Sequence, residues 1–453
     1  MPLRRSGRVH GYCLTMPPSV HRVLRGAARR SGVASALGYG EIIYLIGPTG
    51  HPNYGDELIA ATWLRYLARE RPHATVVLDC HSPGQASLLM RGLHPRLVVV
   101  DTLWRLATYA AEADHSGEGS EHAGQPPWEW VAEAATTLGV APRLAEGIDL
   151  LNRAGTIHLI GGGYLNSIWP HHLSLFVAAA AVARKSGARA VATGQGLIPT
   201  FAEPARSAMI AAAADFDLVD VRDEASAQAM SEIAGMRFSG DDAWLALSTA
   251  SAEIFGAAVG DDGVILCLQS DLTEGFRAPG ADGRELTGTA ALAAFVTATL
   301  DAWEVPGERI TVIEAIPGHD YEVPVLMGER LSGANVIPFQ AVWRHGLPVG
   351  GTWISTRFHP HLLAAANGAA GVAISSMPGY YSTKHRSLIE SGSRWDLVTD
   401  GSDIPPRPHA PGFGAADRAR AVEAKAATAR HVYPRTFAAS PRVLAERLPR
   451  GRG

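Results

Sequence analysis

Short apolar runs alternate with longer amphipathic stretches along most of the chain. Runs of this kind, bounded by turn residues, are typical of parallel strands buried on both faces, and helical periods between them predict a doubly wound α/β sheet. The apolar runs of the first half lie at 42–46, 75–78, 97–100, 157–160, 190–192 and 218–221, and helical periods are clearest at 56–69 and 170–184.

The pattern loosens around 248–262 and then starts again. Further strand patterns lie at 264–268, 310–313, 335–337, 353–355 and 371–374, with helical periods near 287–303 and after His319. We therefore predict an α/β protein of two doubly wound, Rossmann-like lobes that face a cleft. Ligands of open α/β sheets bind beyond the carboxyl ends of the strands, so the cleft is the expected site.

The predicted domain organisation has four parts. Residues 1–40 form a basic extension, 41–250 the N-terminal lobe, 251–403 the C-terminal lobe, and 404–453 a proline-rich linker with C-terminal helices. The extension carries arginines and no acidic residue, which predicts a flexible segment. An anionic membrane surface or a nucleic acid is the functional alternative for such a tail.

Composition narrows the class further. The 453 residues are 47% hydrophobic and 19% charged, with a formal net charge of -4, which is an ordinary globular balance and argues against nucleic acid as the main partner. No apolar run reaches the roughly 20 residues of a transmembrane helix, and no apolar core follows the basic residues after Met1. Cys13, Cys80 and Cys267 form no CxxC pair, which indicates a reducing compartment and no structural zinc. We expect a cytoplasmic protein, with peripheral contact at the inner face of a membrane left open.

The first glycine-rich turn, "GPTGHPNYGDELIAATWL" at 47–64, follows the first predicted strand. Gly50 and Gly55 have the spacing of a phosphate loop, but Asp56 stands where that loop needs lysine, so a P-loop is rejected. We expect a turn capped by Asp56 that lets a ligand approach backbone amides. A tight turn with no ligand is the alternative.

Three more strand ends of the first lobe carry candidate residues. Gly161–Gly163 follow one strand and predict either a backbone nest or close packing of strand and helix. Gln195 follows the next strand and suits either a sugar hydroxyl or the loop itself. Arg222 is expected either to bind an anion or to form a surface ion pair. Asp241 and Asp242 are expected to cap the next helix rather than to bind a metal as a pair.

The stretch "ISTRFHPHLL" at 354–363 joins a predicted strand to a predicted helix. Pro360 fits the first helical position, which makes His359 the expected N-cap and places Arg357 at the strand end. A helix N-terminus, a guanidinium and an imidazole together suit a carboxylate or phosphate beside a proton donor or acceptor. His361 falls inside the helix, where packing is its expected role.

A second helix start follows at 375–390. Ser382 is the expected cap, and Lys384 and Arg386 lie in the first turn, where cations oppose the helix dipole unless an anion binds there. Ordinary solvated charges are the alternative for both. Glu314 and Glu322 have the E-x7-E spacing of some nucleotide-sugar glycosyltransferases, a pattern that arises easily by chance.

The order of these motifs resembles the polysaccharide pyruvyl transferase family. "NYGDE" (53–57), "IGGG", "GQGLIP", "VRDEAS" and "GDD" follow the family order, "STRFHPHLLAAANGAAGVAIS" resembles its R-x-H-x-x-x-x-A element, and "YYSTK" its Y-x-x-K element. The likeness extends from about residue 41 to 387. Phe358 departs mildly, standing where leucine is common in the family, as does the pair His51-Pro52 before Asn53.

The resemblance implies a fold similar to the GT-B glycosyltransferases and transfer of pyruvate from phosphoenolpyruvate onto two hydroxyls of one sugar, which forms a cyclic ketal. It implies no metal and no cofactor beyond the donor. The acceptor would be a cell-surface glycan, a lipid-linked sugar or a glycolipid, held by the N-terminal lobe, with the donor on the C-terminal lobe. On this basis the expected site comprises His359 and Arg357 for catalysis, Arg222, Arg357 and Lys384 for phosphoenolpyruvate, and Asn53, Asp56, Gly162, Gly163 and Gln195 for the acceptor.

Two other functions fit the same sequence. A GT-B glycosyltransferase that uses a nucleotide sugar would share the cleft and would explain Glu314 and Glu322. A non-catalytic carbohydrate-binding protein would share the acceptor side alone. The sequence sets no oligomeric state.

Overall fold

The computed structural model describes residues 40–115, 125–249, 251–377 and 381–434. The predicted basic extension lies outside these residues up to position 39, as does the arginine-rich segment from 435 onward. Within the described part of the chain, no helix is both long and apolar enough to cross a bilayer.

The first lobe is built on a parallel sheet of seven strands. Their spatial order is β3-β2-β1-β4-β5-β6-β7. The strands are β1 (Ile42–Ile46), β2 (Thr75–Asp79), β3 (Leu97–Val100), β4 (Thr156–Leu159), β5 (Arg189–Gln195), β6 (Leu218–Val221) and β7 (Arg237–Phe238). β1 and β4 pair in parallel register, with Tyr44 opposite Ile157, and both strands are buried.

Helices cover both faces of this sheet, because its apolar strands must be shielded on both sides. They are α1 (Tyr54–Glu70), α2 (Pro83–Leu89), α3 (Thr102–His115), α4 (Pro127–Thr136), α5 (Ala145–Asn152), α6 (Leu173–Ser186), α7 (Ala205–Ala213), α8 (Glu224–Ala229) and α9 (Ala243–Thr249).

The second lobe is built on a parallel sheet of six strands, in the order β13-β12-β9-β15-β16-β17. After the short α10 (Ser251–Ile254), its strands are β9 (Val264–Cys267), β12 (Ile310–Ile313), β13 (Asn335–Ile337), β15 (Thr352–Ser355), β16 (Ala370–Ile374) and β17 (Asp396–Val398). Two small pairs accompany it, β8 (Phe255–Ala258) with β14 (Leu347–Val349) and β10 (Arg277–Pro279) with β11 (Glu285–Thr287). Its helices are α11 (Gly288–Ala302), α12 (Glu322–Met327), α13 (Phe339–His345), α14 (Phe358–Ala366) and α15 (Tyr381–Glu390).

The prediction of two doubly wound α/β lobes is confirmed. In each sheet the strand order reverses between two neighbours, β1 and β4 in the first and β9 and β15 in the second. Ligands bind at such switch points, beyond the carboxyl ends of the strands. The two reversals face one cleft, where the backbone N–H of Tyr54 donates to the carbonyl of Ala315 across the lobes over 2.9 Å. This is the arrangement of the GT-B fold.

The last helix, α16 (Ala415–Val432), returns to the first lobe. Its Lys425 is fully buried and forms ion pairs with Asp220 at 2.8 Å and Asp242 at 3.0 Å. A buried cation between two buried carboxylates offsets the cost of removing all three from water. The chain after the second sheet therefore contributes to the core of the first lobe, while the four-part domain division stays a prediction.

Candidate active site

A cavity of about 380 Å³ opens between the two switch points. Its walls include residues after β1 and β4 on one side and residues after β9 and β15 on the other. Among the predicted site residues, the walls include Asn53, Asp56, Gly163, Arg222, Arg357, His359 and Lys384. The structure therefore brings most of the predicted set together in one place.

The N-terminus of α1 enters the cavity after β1. Asn53, rather than Asp56, caps the helix, since its Oδ1 accepts a hydrogen bond from the backbone N–H of Gly55 at 3.2 Å. The prediction that Asp56 caps was wrong because the helix begins at Tyr54, two residues earlier. Asp56 lies instead in the first turn, and burial raises the pKa of its carboxyl to about 6, against the opposing effects of His359 and Lys384.

The Gly161–Gly163 turn lets two cations approach the same point. A Cβ placed on Gly163 would lie 3.1 Å from Nη1 of Arg222 and 3.2 Å from Nζ of Lys384. Gly162 adopts a φ of +149°, a conformation that glycine readily adopts, and its N–H donates to the carbonyl of Gly194 at 3.3 Å. Gly162 does not line the cavity, whereas Gly163 does, so of the two glycines predicted to bind the acceptor only Gly163 is in a position to do so.

Arg222 enters the cavity from the end of β6. Its side chain is buried, its Nε donates to Oδ2 of Asp223 at 3.2 Å, and its guanidinium lies 4.7 Å from the ring centre of Phe358 in the other lobe. The surface ion pair that was the alternative for Arg222 is therefore wrong. A buried guanidinium at a cavity wall suits a bound anion.

Lys384 enters from α15 of the second lobe. This helix begins at Tyr381, so Ser382 lies inside it and does not act as the predicted cap. Burial and the neighbouring charge of Arg222 lower the pKa of Lys384 well below its usual range, while Asp56 acts in the opposite direction. Arg386 is exposed and lies outside the cavity, so the solvated-charge alternative describes Arg386 and not Lys384.

Arg357 differs most from its predicted role as an open anion clamp. Nε and Nη2 donate to Oδ1 of Asp320 at 2.9 and 2.6 Å, and Nη2 donates to Oδ1 of Asp271 at 2.7 Å. The guanidinium therefore already pairs with two carboxylates. Asp320 also accepts from the backbone N–H groups of Ala315 and Ile316, which fixes this arrangement.

His359 follows in the first turn of α14. The helix is capped at Arg357 and begins at Phe358, so the prediction of His359 as cap was wrong. Pro360 takes the third helical position, where a missing N–H also costs no intrahelical bond. Nε2 of His359 lies 3.4 Å from Oδ1 of Asp241, an ion-pair contact longer than a good hydrogen bond. A Cβ on Gly55 would lie 1.7 Å from Nδ1, so only glycine leaves room for this ring.

Asp241 and Asp242 divide the capping role that was predicted for both. Oδ1 of Asp241 accepts from the N–H of Ala243, the first residue of α9, at 2.8 Å, so Asp241 satisfies one backbone donor at the start of this helix. Burial alone would raise the pKa of Asp241, but the neighbouring His359 and Arg222 lower it to about 2. Asp242 turns inward, and its Oδ2 accepts from the Trp63 indole at 2.7 Å and the Gly161 N–H at 2.9 Å.

Gln195 is buried behind the cavity wall. Its amide nitrogen donates to the carbonyls of Leu159, Ile160 and Thr193 at 3.2, 2.9 and 3.0 Å. It therefore supports the glycine turn, which was the alternative considered, and the structure contradicts its prediction as an acceptor-binding residue. His361 is also buried, with Nδ1 3.0 Å from Nδ1 of His385, in keeping with the packing role expected of it.

A wall of rings on the first-lobe side was not predicted from the sequence. It comprises His51, His81, Tyr164, Trp169 and His172. Burial and neighbouring histidines lower the pKa of His81 to about 4 and that of His172 to about 3. The rings of His81 and His172 are therefore neutral near pH 7 and contribute flat, uncharged faces to the wall.

Asp271, Asp320 and Asp241 are further residues that sequence reasoning left outside the site. Asp271 and Asp320 both follow strand ends of the second sheet; the sequence places Asp320 there together with His319 without giving it a role, and the same rule could have selected Asp271. Their pairing with one arginine depends on side-chain geometry that the sequence does not contain. Within the described ranges, no group of three or more His, Cys, Asp or Glu residues could hold a metal ion.

These features define a two-lobed α/β protein of GT-B type with a cationic cleft. A family model described as polysaccharide pyruvyl transferase matches residues 53–278. The chain belongs to the polysaccharide pyruvyl transferase family. No curated protein matches it significantly.

Solved structures resemble the chain only distantly. A putative UDP-N-acetylglucosamine 2-epimerase from Listeria monocytogenes is 13% identical, covers 87% of this chain and 92% of its own, and has a TM-score of 0.46. The UDP-GlcNAc 2-epimerase from Neisseria meningitidis, bound to UDP-GlcNAc, is 10% identical over 87% and 92%, with a TM-score of 0.45. An α,α-trehalose-phosphate synthase (UDP-forming) from Burkholderia vietnamiensis is 10% identical over 90% and 98%, with a TM-score of 0.37. At these values the fold assignment rests on the two sheets themselves.

Proposed function

We propose that the protein transfers the pyruvyl group of phosphoenolpyruvate onto two hydroxyls of a sugar in a cell-surface glycan or its precursor, forming a cyclic ketal. One observation carries the proposal. Arg222 of the first lobe and Lys384 of the second approach the same point above Gly163, where a Cβ would lie 3.1 and 3.2 Å from their nitrogens. Two cations held this close, with the pKa of Lys384 lowered, favour a ligand that carries negative charge.

Phosphoenolpyruvate has that chemistry, because it joins a phosphate and a carboxylate on one small carbon skeleton. Arg222 and Lys384 would bind its anionic groups between the lobes. Arg357 would hold Asp271 and Asp320 in place at the wall of the cavity. This assigns Arg357 a positioning role in addition to the direct contact that the sequence predicts.

Two groups of the cavity suit the proton transfers. The pKa of Asp56, raised to about 6, makes its carboxylate a base that can accept a proton from a sugar hydroxyl near neutral pH. Nε2 of His359 lies 3.4 Å from Oδ1 of the ionised Asp241, and an imidazole at this position in the cavity suits the role of proton donor. In this proposal Asp56 is the base and His359 the acid, two roles that their different environments keep apart.

The proposed reaction begins with proton transfer to the donor. His359 donates a proton to the methylene carbon of phosphoenolpyruvate, which leaves positive charge at C2. A sugar oxygen bonds to C2 and gives its proton to Asp56, and the C2–O bond to phosphate breaks with its electron pair on phosphate. The second hydroxyl bonds to C2 and loses its proton, which closes the ketal. The proton taken up by Asp56 replaces the one that His359 gave to carbon, and the proton of the second hydroxyl passes to phosphate, which departs as its monoprotonated dianion.

The ring wall supports the acceptor side of the proposal. Neutral His81 and His172 with Trp169 offer flat faces on which a sugar ring can stack, and Asn53 and Asp56 lie at the same wall. The acceptor would therefore lie on the first lobe, as the family resemblance implies.

The glycosyltransferase alternative loses its main support. The carboxylate of Glu314 accepts from the N–H groups of Gly318 and Phe339, both at 2.9 Å, and Glu322 is exposed. Neither glutamate lines the cavity. Nothing in their positions favours a nucleotide sugar over phosphoenolpyruvate.

Donor binding tests the proposal. Phosphoenolpyruvate should raise the melting temperature of the protein, because a ligand that binds only the folded state stabilises it. Stabilisation by UDP- or GDP-sugars alone would overturn the proposal. Phosphate release that requires both phosphoenolpyruvate and a glycan would exclude a purely carbohydrate-binding role, and binding of both without release would support that role instead.

A further inference from the structure

A second cavity of about 290 Å³ lies behind the first, between α8, α9, α15 and α16. Arg222 and Phe358 line both cavities and separate them. The volume is at the low end for small-molecule sites, which suits a ligand of the size of one monosaccharide. Nothing in the proposed reaction uses this space.

The polar groups of the second cavity are mainly hydrogen-bond acceptors. Oδ2 of Asp241 is buried and accepts no hydrogen bond from the described residues. The hydroxyls of Ser387 and Ser391 donate to the carbonyls of Lys384 and Ser387 at 2.7 Å each, so their oxygens keep acceptor capacity. A ligand here must therefore supply several donors.

Charge excludes an anion from this cavity. Its lining includes the carboxylates of Glu224, Asp241, Glu390 and Asp417. These four carboxylates outnumber the two guanidiniums of the lining, Arg420, which pairs with Asp417 at 2.6 Å, and Arg222, which lies 3.9 Å from Oδ2 of Asp241. Phosphoenolpyruvate or phosphate would meet an excess of negative charge.

Aromatic surface completes the cavity. Phe238 on the edge strand β7 is 50% exposed, and Trp244 and Phe358 lie deeper in the lining. A pyranose ring presents apolar C–H faces to such rings and hydroxyl donors around its edge. Its chemistry matches both the acceptors and the apolar surface.

We propose that the second cavity binds one uncharged sugar ring, as a carbohydrate subsite separate from the cleft where transfer occurs. The inference rests on the proposed function only for the preference of a sugar over an organic amine. A hydroxyl bound to Oδ2 of Asp241 would act on the same carboxylate whose Oδ1 lies 3.4 Å from His359. Occupancy of the subsite is thereby linked to the reaction centre.

Fluorine NMR of the full chain tests the subsite directly. A fluorinated phenylalanine at position 238 reports on the second cavity, and one at Tyr109, an aromatic residue 56% exposed elsewhere on the first lobe, is the matched control. N-acetylglucosamine and methyl β-galactoside are the probes, titrated without phosphoenolpyruvate. At least one should shift the 238 resonance saturably and leave the 109 resonance unchanged.

A variant of the cavity wall provides a second test of sugar binding. Phe238→Ala should weaken sugar binding roughly fivefold to tenfold, a typical loss for one aromatic contact, and should leave phosphoenolpyruvate affinity unchanged. A 238 resonance that no sugar moves, or that moves only with inorganic phosphate or spermidine, overturns the proposal. Because phosphoenolpyruvate binding and phosphate release are measured separately, failure here leaves the proposed reaction standing, and failure of the reaction leaves this binding result intact.

Discussion

Oδ1 of Asp241 lies 3.4 Å from Nε2 of His359, and the two residues come from different lobes. The carboxylate is buried, and the opposing influences on it leave its pKa at about 2, so it stays ionised over the physiological range. A fixed negative charge thus faces the imidazole across the cleft. The contact holds only when the lobes meet as they do here.

Asp241→Asn should lower kcat by roughly tenfold to a hundredfold, because it removes the negative charge that faces the imidazole of His359, the proposed proton donor. Phosphoenolpyruvate affinity should change little. A double-mutant cycle with His359→Gln provides the control, since Asp241→Asn should cost nothing further once the imidazole is gone. Additive losses would show that Asp241 acts independently of His359.

Asp56→Asn should abolish transfer and yet stabilise the protein at about pH 8. Folding raises the pKa of Asp56 from 3.8 to about 6, so the folded state binds its proton more tightly. This contribution favours folding below about pH 4 and is lost progressively as the pH rises to about 6, so removal of the carboxylate relieves a cost that is complete above about pH 6. Melting temperatures of both proteins at about pH 4 and about pH 8 measure the effect. An equal change at both pH values would contradict the assignment.

Gly163→Ala should raise the KM for phosphoenolpyruvate roughly tenfold with kcat less affected. The added methyl would stand 3.1 Å from Nη1 of Arg222 and 3.2 Å from Nζ of Lys384, where the donor is proposed to bind. Gly84→Ala is the matched control, because no atom lies within 4 Å of its Cβ position. Steady-state kinetics of both variants measure the effect. An unchanged KM for phosphoenolpyruvate in Gly163→Ala would show that the donor does not bind beside Gly163.

Arg357→Lys should reduce kcat/KM by at least about tenfold, because one ammonium cannot reproduce the guanidinium pairs to Asp271 and Asp320. Arg386→Lys, an exposed change in the neighbouring helix, is the control and should be silent. Circular dichroism checks that both variants fold. Near wild-type kinetics for Arg357→Lys would show that the guanidinium of Arg357 is not needed at the donor site.

The hydrophobic pattern was sufficient to predict the fold. Buried parallel strands such as β1 and β12 read as uninterrupted apolar runs, and the predicted bounds 42–46 and 310–313 match them. The edge strands β7 and β17, two and three residues long, escaped prediction, whereas the equally short edge strand β13 was predicted at 335–337.

The sequence predicted which residues lie at the ends of strands, and so near the cavity. It did not predict which partners their side chains contact. Arg222, Arg357 and His359 all follow strands and all reach the cavity. Gln195 follows a strand too, but its amide turns back to three carbonyls of its own lobe. The helix caps were misplaced by three residues at Asp56 and by two at His359, because Asn53 and Arg357 take the capping positions.

Mass spectrometry of a glycan incubated with the protein and isotopically labelled phosphoenolpyruvate tests the central claim most directly. The cell-envelope glycans of the source organism are the acceptor pool, and Lys384→Met, which removes one cation of the anion site, is the matched control. We predict that label appears as a pyruvate ketal on a sugar, with release of phosphate, for the wild-type protein and not for the variant. A wild-type protein that binds these glycans and phosphoenolpyruvate but transfers no label would contradict the account.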